Sequence, residues 1–289
     1  MQQIEPGVRL IRADNASALT GTGTNSYLLG HGALVLIDPG PDLDSHFKAI
    51  FAAVAPGETI VAVLVTHAHL DHSALAPRIA AAVQAPVYAF AGAHAGRSAL
   101  MSRLAAEGLT SSEGADEGFA PDILVHDGQS LTFPGLAITA LHTPGHMGCH
   151  LSFAQGDILF SGDHVMGWST SLVSPPDGDM AAYMASLHRL STHPARRVLP
   201  GHGAPIDSPR DRVAKLILHR EGRRLAILAA LSAGPATVAA LTAQIYVDTP
   251  KALHPAAERN VLAHLIELIS QNRVACIGDR FSDGQFHLI

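Results

Sequence analysis

The stretch Thr66-His67-Ala68-His69-Leu70-Asp71-His72 constrains this chain more than any other. It sets three imidazoles and a carboxylate directly after the apolar run Ile60-Val61-Ala62-Val63-Leu64-Val65. That run is too short for a helix and rich in β-branched residues, so it reads as a buried strand. A strand buried on both faces needs a sheet around it and a layer on each side. Its end then presents ligand-type side chains on a rigid scaffold, as a metal site requires. The chain holds 18 histidines, enough for one His-x-His by chance. Chance rarely supplies His-x-His-x-Asp-His at the mouth of a buried strand.

The flanking sequence supports a layered arrangement. Residues 8–12, 26–29, 33–37 and 87–90 read as strands, and residues 43–54 and 74–83 as helices. This alternation predicts an α/β fold. Asp38-Pro39-Gly40 stops the strand at 33–37. Asp38 there is either a turn-initiating residue or a carboxylate that orients a metal ligand. Residues 92–121 read as a loop or short helical excursion over the site, where substrate selection often resides. His94, Arg97 and Arg103 within it are expected to be solvated. From residue 129 the pattern changes to strands and turns. One rule recurs through it: a strand stops at Gly or Pro, and a His or Asp follows. Besides His67, this places His146, Asp163 and His202 at one edge of the scaffold.

Neutral imidazoles and carboxylates suit zinc and similar divalent ions. His67, His69, Asp71, His72, His146, Asp163 and His202 are more ligands than one tetrahedral ion needs. They fit two ions about 3.5–4 Å apart that share a carboxylate. Asp163 is the natural bridge, because a carboxylate has two oxygens and an imidazole offers a metal one lone pair. The expected cofactors are therefore two divalent metal ions, zinc foremost, with iron or manganese as alternatives. A hydroxide held between them would attack an ester, thioester, amide or phosphodiester, since metal binding lowers the pKa of water to about 7. Asp71 is a candidate for handling a proton as well. His150 is expected to support the Pro144-Gly145-His146 loop. His164, next to the bridge, is expected either to face substrate or to hydrogen-bond in the core.

The ordered set His67-x-His69-x-Asp71-His72, Thr143-Pro144-Gly145-His146, Gly162-Asp163 and Gly201-His202, with Asp38 ahead of it, resembles the metallo-β-lactamase-fold hydrolase superfamily. The resemblance spans residues 8 to about 205. It implies a four-layer αββα sandwich with the site at one edge of its two sheets. It also implies one metal at His67, His69 and His146, a second at Asp71, His72 and His202, and Asp163 between them.

Beyond residue 210 the pattern differs. Helices are expected at 212–231, 235–245 and 255–271, followed by a hairpin of 274–277 and 285–289 with Asp283-Gly284 at its tip. This is a winged-helix arrangement, with Thr237 as an N-cap of its second helix. Two units follow: 1–210, a metal-dependent hydrolase domain, and 211–289, a winged-helix-like domain. With Gly23-Thr24-Asn25-Ser26-Tyr27 and Ser161-Gly162-Asp163-His164-Val165-Met166-Gly167, this tail is similar to the β-lactamase-like protein 2 subgroup. Relatives there include an endoribonuclease acting on single-stranded RNA.

Composition bears on that alternative. The net charge is −6, and the segment 213–289 holds eight Lys and Arg against six Asp and Glu. In the third helix of the tail, Glu258, Arg259, Asn260, His264, Glu267 and Gln271 are expected to point outward. They do not make a phosphate-binding face. The tail is therefore expected to pack or dimerise beside the active site rather than read a nucleic acid. A small-molecule substrate is expected, with single-stranded RNA as the alternative. A mono-iron sulfur dioxygenase is a second alternative, weakened by the intact Asp71-His72 pair. Only Cys149 and Cys276 are present, which fits a reducing compartment. No run approaches the roughly 18 apolar residues of a membrane span, and residues 1–12 carry no apolar leader. A cytoplasmic protein without a membrane partner, and a homodimer among its assembly states, are expected.

Overall fold

The computed structural model describes every residue except 112–113, 279–280 and 282–283. Asp283, placed above at a hairpin tip, lies outside the described residues. The first sheet has seven strands in chain order: β1 (Gln2–Glu5), β2 (Val8–Arg12), β3 (Asn25–His31), β4 (Ala33–Ile37), β5 (Thr59–Leu64), β6 (Val87–Ala89) and β7 (Ile123–Leu124). Strands β1 to β4 pair antiparallel, and β4 to β7 pair parallel. The second sheet comprises β8 (Ser130–Phe133), β9 (Leu136–His142), β10 (Leu151–Gln155), β11 (Ile158–Gly162) and β12 (Arg197–Pro200), in spatial order β12-β11-β10-β9-β8. Strands β1 and β7 have no counterpart in the sequence reading. Both are short, and both lie at an edge of the sheet.

Strand periodicity builds the layers. In β4, Leu34 and Leu36 face one way and Val35 and Ile37 the other. The first pair packs against helices α1 (Asp44–Ala52) and α3 (Ala76–Val83) through Ile50, Leu75, Ala76 and Ile79; the short α2 (Leu70–Ser73) precedes α3. The second pair meets Ile138, Leu151, Phe153, Phe160 and Leu199 of the other sheet. The outer face of that sheet is covered by α5 (Met180–Ser191), whose Met180, Tyr183, Leu187 and Leu190 are buried. The order is helices, sheet, sheet, helices, as the resemblance implies. A short helix, α4 (Ala99–Ala106), lies within the segment read as a loop or short helical excursion.

The C-terminal part has α6 (Pro209–Leu231), α7 (Val238–Ile245), α8 (His254–Ser270) and the antiparallel pair β13 (Val274–Ile277) and β14 (Gln285–Leu288). This is the winged-helix arrangement, and Thr237 caps α7 by accepting from the Ala240 amide at 3.2 Å. The outward face expected for α8 is corrected. Asn260 and His264 are buried, Arg259 is half-buried, and only Gln271 of the six residues is exposed. They turn inward because α8 packs against α5 and against residues 173–175. Leu104 and Met101 of α4 share a core with α6, α7 and α8.

Candidate metal centre

Four chain segments leave the two sheets at one edge and bring the site together. Beyond β5, the loop from Thr66 carries His67 and His69, and α2 carries Asp71 and His72. His146 follows β9, Asp163 follows β11 and His202 follows β12. All except Asp71 are buried.

The ring nitrogens point inward because oxygen atoms hold their other sides. The Thr66 hydroxyl donates to Asp38 Oδ2 at 2.8 Å, so it accepts from His67 Nδ1 at 2.9 Å. The Leu172 carbonyl can only accept, and it lies 2.7 Å from His146 Nδ1. Asp38 Oδ2 takes the Nδ1 proton of His72 at 2.9 Å. The Gly23 carbonyl lies 3.3 Å from His202 Nδ1. Each ring therefore turns its Nε2 toward the centre. His67 Nε2 and His146 Nε2 both approach His69 Nδ1 to 3.0 Å. His202 Nε2 lies 3.2 Å from His72 Nε2 and 3.2 Å from Asp71 Oδ2. Asp163 stands between the groups, with a carboxylate oxygen 3.4 Å from His72 Nε2, 3.3 Å from His202 Nε2 and 3.8 Å from His146 Nε2.

Two electrostatic environments result. Burial, then the neighbouring rings, hold His67 well below the ordinary histidine range. Burial, then His146, bring His69 down to about 3. Burial also lowers His146. These three stay neutral and offer lone pairs. On the other side, burial opposes charge on His202, but Asp163 and Asp71 overcome it and raise it to about 9. His72 is raised likewise, by Asp71, Asp163 and Asp38 against its burial. Asp163, despite burial, is held well below the usual carboxylate range by His202 and His72. Lone pairs crowded together beside permanent carboxylates form a donor set for cations, and it suits divalent metals. His67, His69 and His146 could hold one ion, and Asp71, His72 and His202 another.

The remaining candidates separate clearly. Asp38 accepts from the Thr66 amide at 2.7 Å and fixes the base of the loop. His150 bonds the Thr143 hydroxyl through Nδ1 and accepts the Asp163 amide through Nε2, which supports both loops. His164 is fully buried, and neither ring nitrogen has a hydrogen-bond partner among the described residues. Burial lowers it to about 3, and its ring lies against Tyr183, away from the cavity. Arg97 is corrected: it pairs with the buried Asp177 instead of standing in solvent.

A cavity of about 330 Å³ opens onto the cluster, lined by His69, Asp71, His146, Asp163 and His202 at its floor. Its walls come from residues 17–20 and from the segment 166–172. Of the segment 92–121, only Gly114 among the described residues reaches it. The sequence reading missed residues 17–20, whose composition gives no ligand signal.

The layered fold and this cluster define the class. The chain belongs to the Metallo-beta-lactamase superfamily, which it matches over residues 19–202. Residues 237–283 match the Beta-lactamase associated winged helix domain. More particularly, the chain is similar to the Beta-lactamase-like protein 2 homolog of Drosophila melanogaster, at 30% identity over 288 residues, covering 95% of this chain and 91% of that one. A solved metallo-beta-lactamase family protein from Thermus thermophilus has the same fold, with a TM-score of 0.80 at 24% identity over 99% of this chain and 100% of that one. A protein solved in a di-iron-bound form matches with a TM-score of 0.52 at 29% identity, covering 70% of this chain and 96% of that one. No helix among the described residues is long and apolar enough to cross a membrane.

Proposed function

We propose that the chain is a dinuclear metal-dependent hydrolase acting on an ester, thioester or related bond of a small molecule. The observation that carries this reading is the place of Asp163, within 4 Å of ligand nitrogens from both triads. A shared carboxylate is what two adjacent ions require. When bound, such ions supply an activated water at neutral pH and neutralise negative charge in the transition state. Zinc is the expected metal. The di-iron form of a structural relative keeps iron as the alternative.

The chain's own residues would position and exclude. Asp71 faces the cavity, where Thr24 Oγ1 donates to its Oδ2 at 3.3 Å. Burial pushes its carboxyl up, but His72 and His202 hold it below the usual range. A carboxylate held that acidic is a better metal ligand than proton acceptor, so the ligand role is favoured. A polyanionic RNA would meet no Lys or Arg among the described lining residues, which favours a neutral substrate. The complete second triad counts against a mono-iron dioxygenase. The cytoplasmic setting and the homodimer belong to the same proposal.

Metal analysis of purified protein should find two equivalents of transition metal. Asp163→Asn should lower that number and reduce thioester hydrolysis at least about 100-fold. A panel of a model thioester, a lactone and single-stranded RNA assigns the bond. Turnover on RNA alone would overturn the neutral-substrate reading.

A further inference from the structure

We propose that the outer part of the cavity is an acyl subsite, shaped for the neutral, apolar chain of an ester or thioester. The choice of bond rests on the hydrolase reading; the binding of the chain does not. Three of the large apolar side chains left in solvent gather at this mouth: Leu19 is 55% exposed, Leu70 49% and Trp168 45%. Met166 and Leu172 complete the wall. Exposed apolar side chains grouped in a concave site beside reactive groups indicate a ligand that covers them. The indole of Trp168 is seated on Gly21 and Gly203, where an added Cβ would lie 3.0 Å and 2.4 Å from its ring atoms. Arg212 holds the same strap by donating to the carbonyls of Met166 and Ser169. The wall is therefore built in advance of binding. In the reaction it would serve, oxygen from water bonds to the acyl carbon, the C–O or C–S bond breaks, and a proton of the water passes to the leaving alcohol or thiol.

Trp168 is the only tryptophan, so its emission reports on this wall. The full chain, stripped of metal and again loaded with zinc, would be titrated with 2-hexanone, 2-octanone and 2-decanone. An emission change is expected, with affinity rising about three- to fourfold per CH₂ until the wall is covered. Leu19→Ser should flatten that dependence. Affinity independent of chain length, or an equal response to oligouridylate, would overturn the subsite. A parallel series of 4-nitrophenyl esters separates the two readings. Ketones that bind beside esters that are not cut sink the hydrolase and keep the subsite, and the reverse outcome sinks the subsite alone.

A second inference stands on different contacts: Arg220 and Asn260 are positioning residues for His146. The segment 171–173 carries the Leu172 carbonyl that orients His146 Nδ1. Ser171 Oγ donates to the Asp163 carbonyl, tying the segment to the bridge. Two helices of the C-terminal part hold it from behind. Arg220 of α6, only 1% exposed, donates to the Ser171 carbonyl and, at 2.9 Å, to Asn260 Oδ1. That same oxygen of α8 accepts the Val173 amide at 3.2 Å. A buried arginine beside buried amides costs desolvation that simple packing does not demand. Asn260→Leu, Asn260→Asp and Arg220→Lys test this in the full chain by chelator competition for zinc and by the cobalt(II) absorption spectrum. Asn260→Leu and Arg220→Lys should bind the weaker-held equivalent about 10–100-fold less tightly. Asn260→Asp, which keeps the acceptor, should restore binding. Should Asn260→Leu not fold, Arg220→Lys decides. Wild-type zinc affinity and cobalt spectrum in a variant with a lowered Tm would show a purely structural role.

Discussion

Asp38 concentrates three contacts in one carboxylate: the Thr66 amide, the Thr66 hydroxyl and His72 Nδ1. Each is buried, so losing the acceptor leaves donors unsatisfied. Asp38→Ala should weaken zinc binding by about 10–100-fold and cost on the order of 3 kcal/mol of stability, read by chelator competition and urea denaturation. His46 shows a pH effect at the same scale. It is buried, with Nε2 2.7 Å from Ser26 Oγ, and burial lowers it from 6.5 to about 4. The unfolded chain thus binds a proton that the native chain refuses between those two values. Stability is unaffected above about pH 6.5 and falls as pH drops toward 4, by roughly 3 kcal/mol in all. His46→Gln should remove that slope from denaturation midpoints measured across the window. An unchanged slope would mean that the ring titrates as in water.

At the scale of the element, the strands matter chiefly for where they stop. In β12 the stop is Pro200-Gly201 ahead of His202. An added Cβ at Gly201 would lie 2.4 Å from Asp163 Oδ1 and 2.7 Å from the His72 ring. Gly201→Ala therefore cannot keep Asp163 and His72 where they are. The expected result is a folded protein with unchanged far-ultraviolet circular dichroism that binds zinc at least about tenfold more weakly. Full zinc affinity would show that the loop yields freely. Helix α8 makes the complementary point. Its polar face is consumed inside the molecule, as the Arg259 contacts to Ser174 and Pro175 show. A face so used has no guanidinium or ammonium to offer a phosphate backbone.

For the whole molecule, the four hydrophobic clusters do not divide at residue 210. Val213 and Leu216 of α6 and Ala263 of α8 share a core with α5 and β11. Met101 and Leu104 of α4 join the core of the winged helix. Shared cores couple unfolding. Calorimetry of the intact chain should show one cooperative transition, and two resolved transitions would mean that the C-terminal part is a separate thermodynamic unit.

The sequence alone determined the layers and the ligand types. Both follow from local rules: continuous apolar strands alternating with helices, and a His or Asp directly after a strand stop. Hence the α/β class, the winged helix and the seven candidates His67, His69, Asp71, His72, His146, Asp163 and His202 were legible before any coordinates, and the family resemblance implied the αββα order. The tertiary structure decided what depends on distant segments meeting. It showed that Leu172 and Gly23, through carbonyls present in every residue, turn His146 and His202 inward. It put Leu19 and Trp168, ordinary apolar residues in sequence, at the mouth of the cavity. It also turned Asn260 and His264 away from solvent. Backbone carbonyls and apolar side chains carry no sequence signal of their roles, because those roles arise only from the long-range contacts that place them.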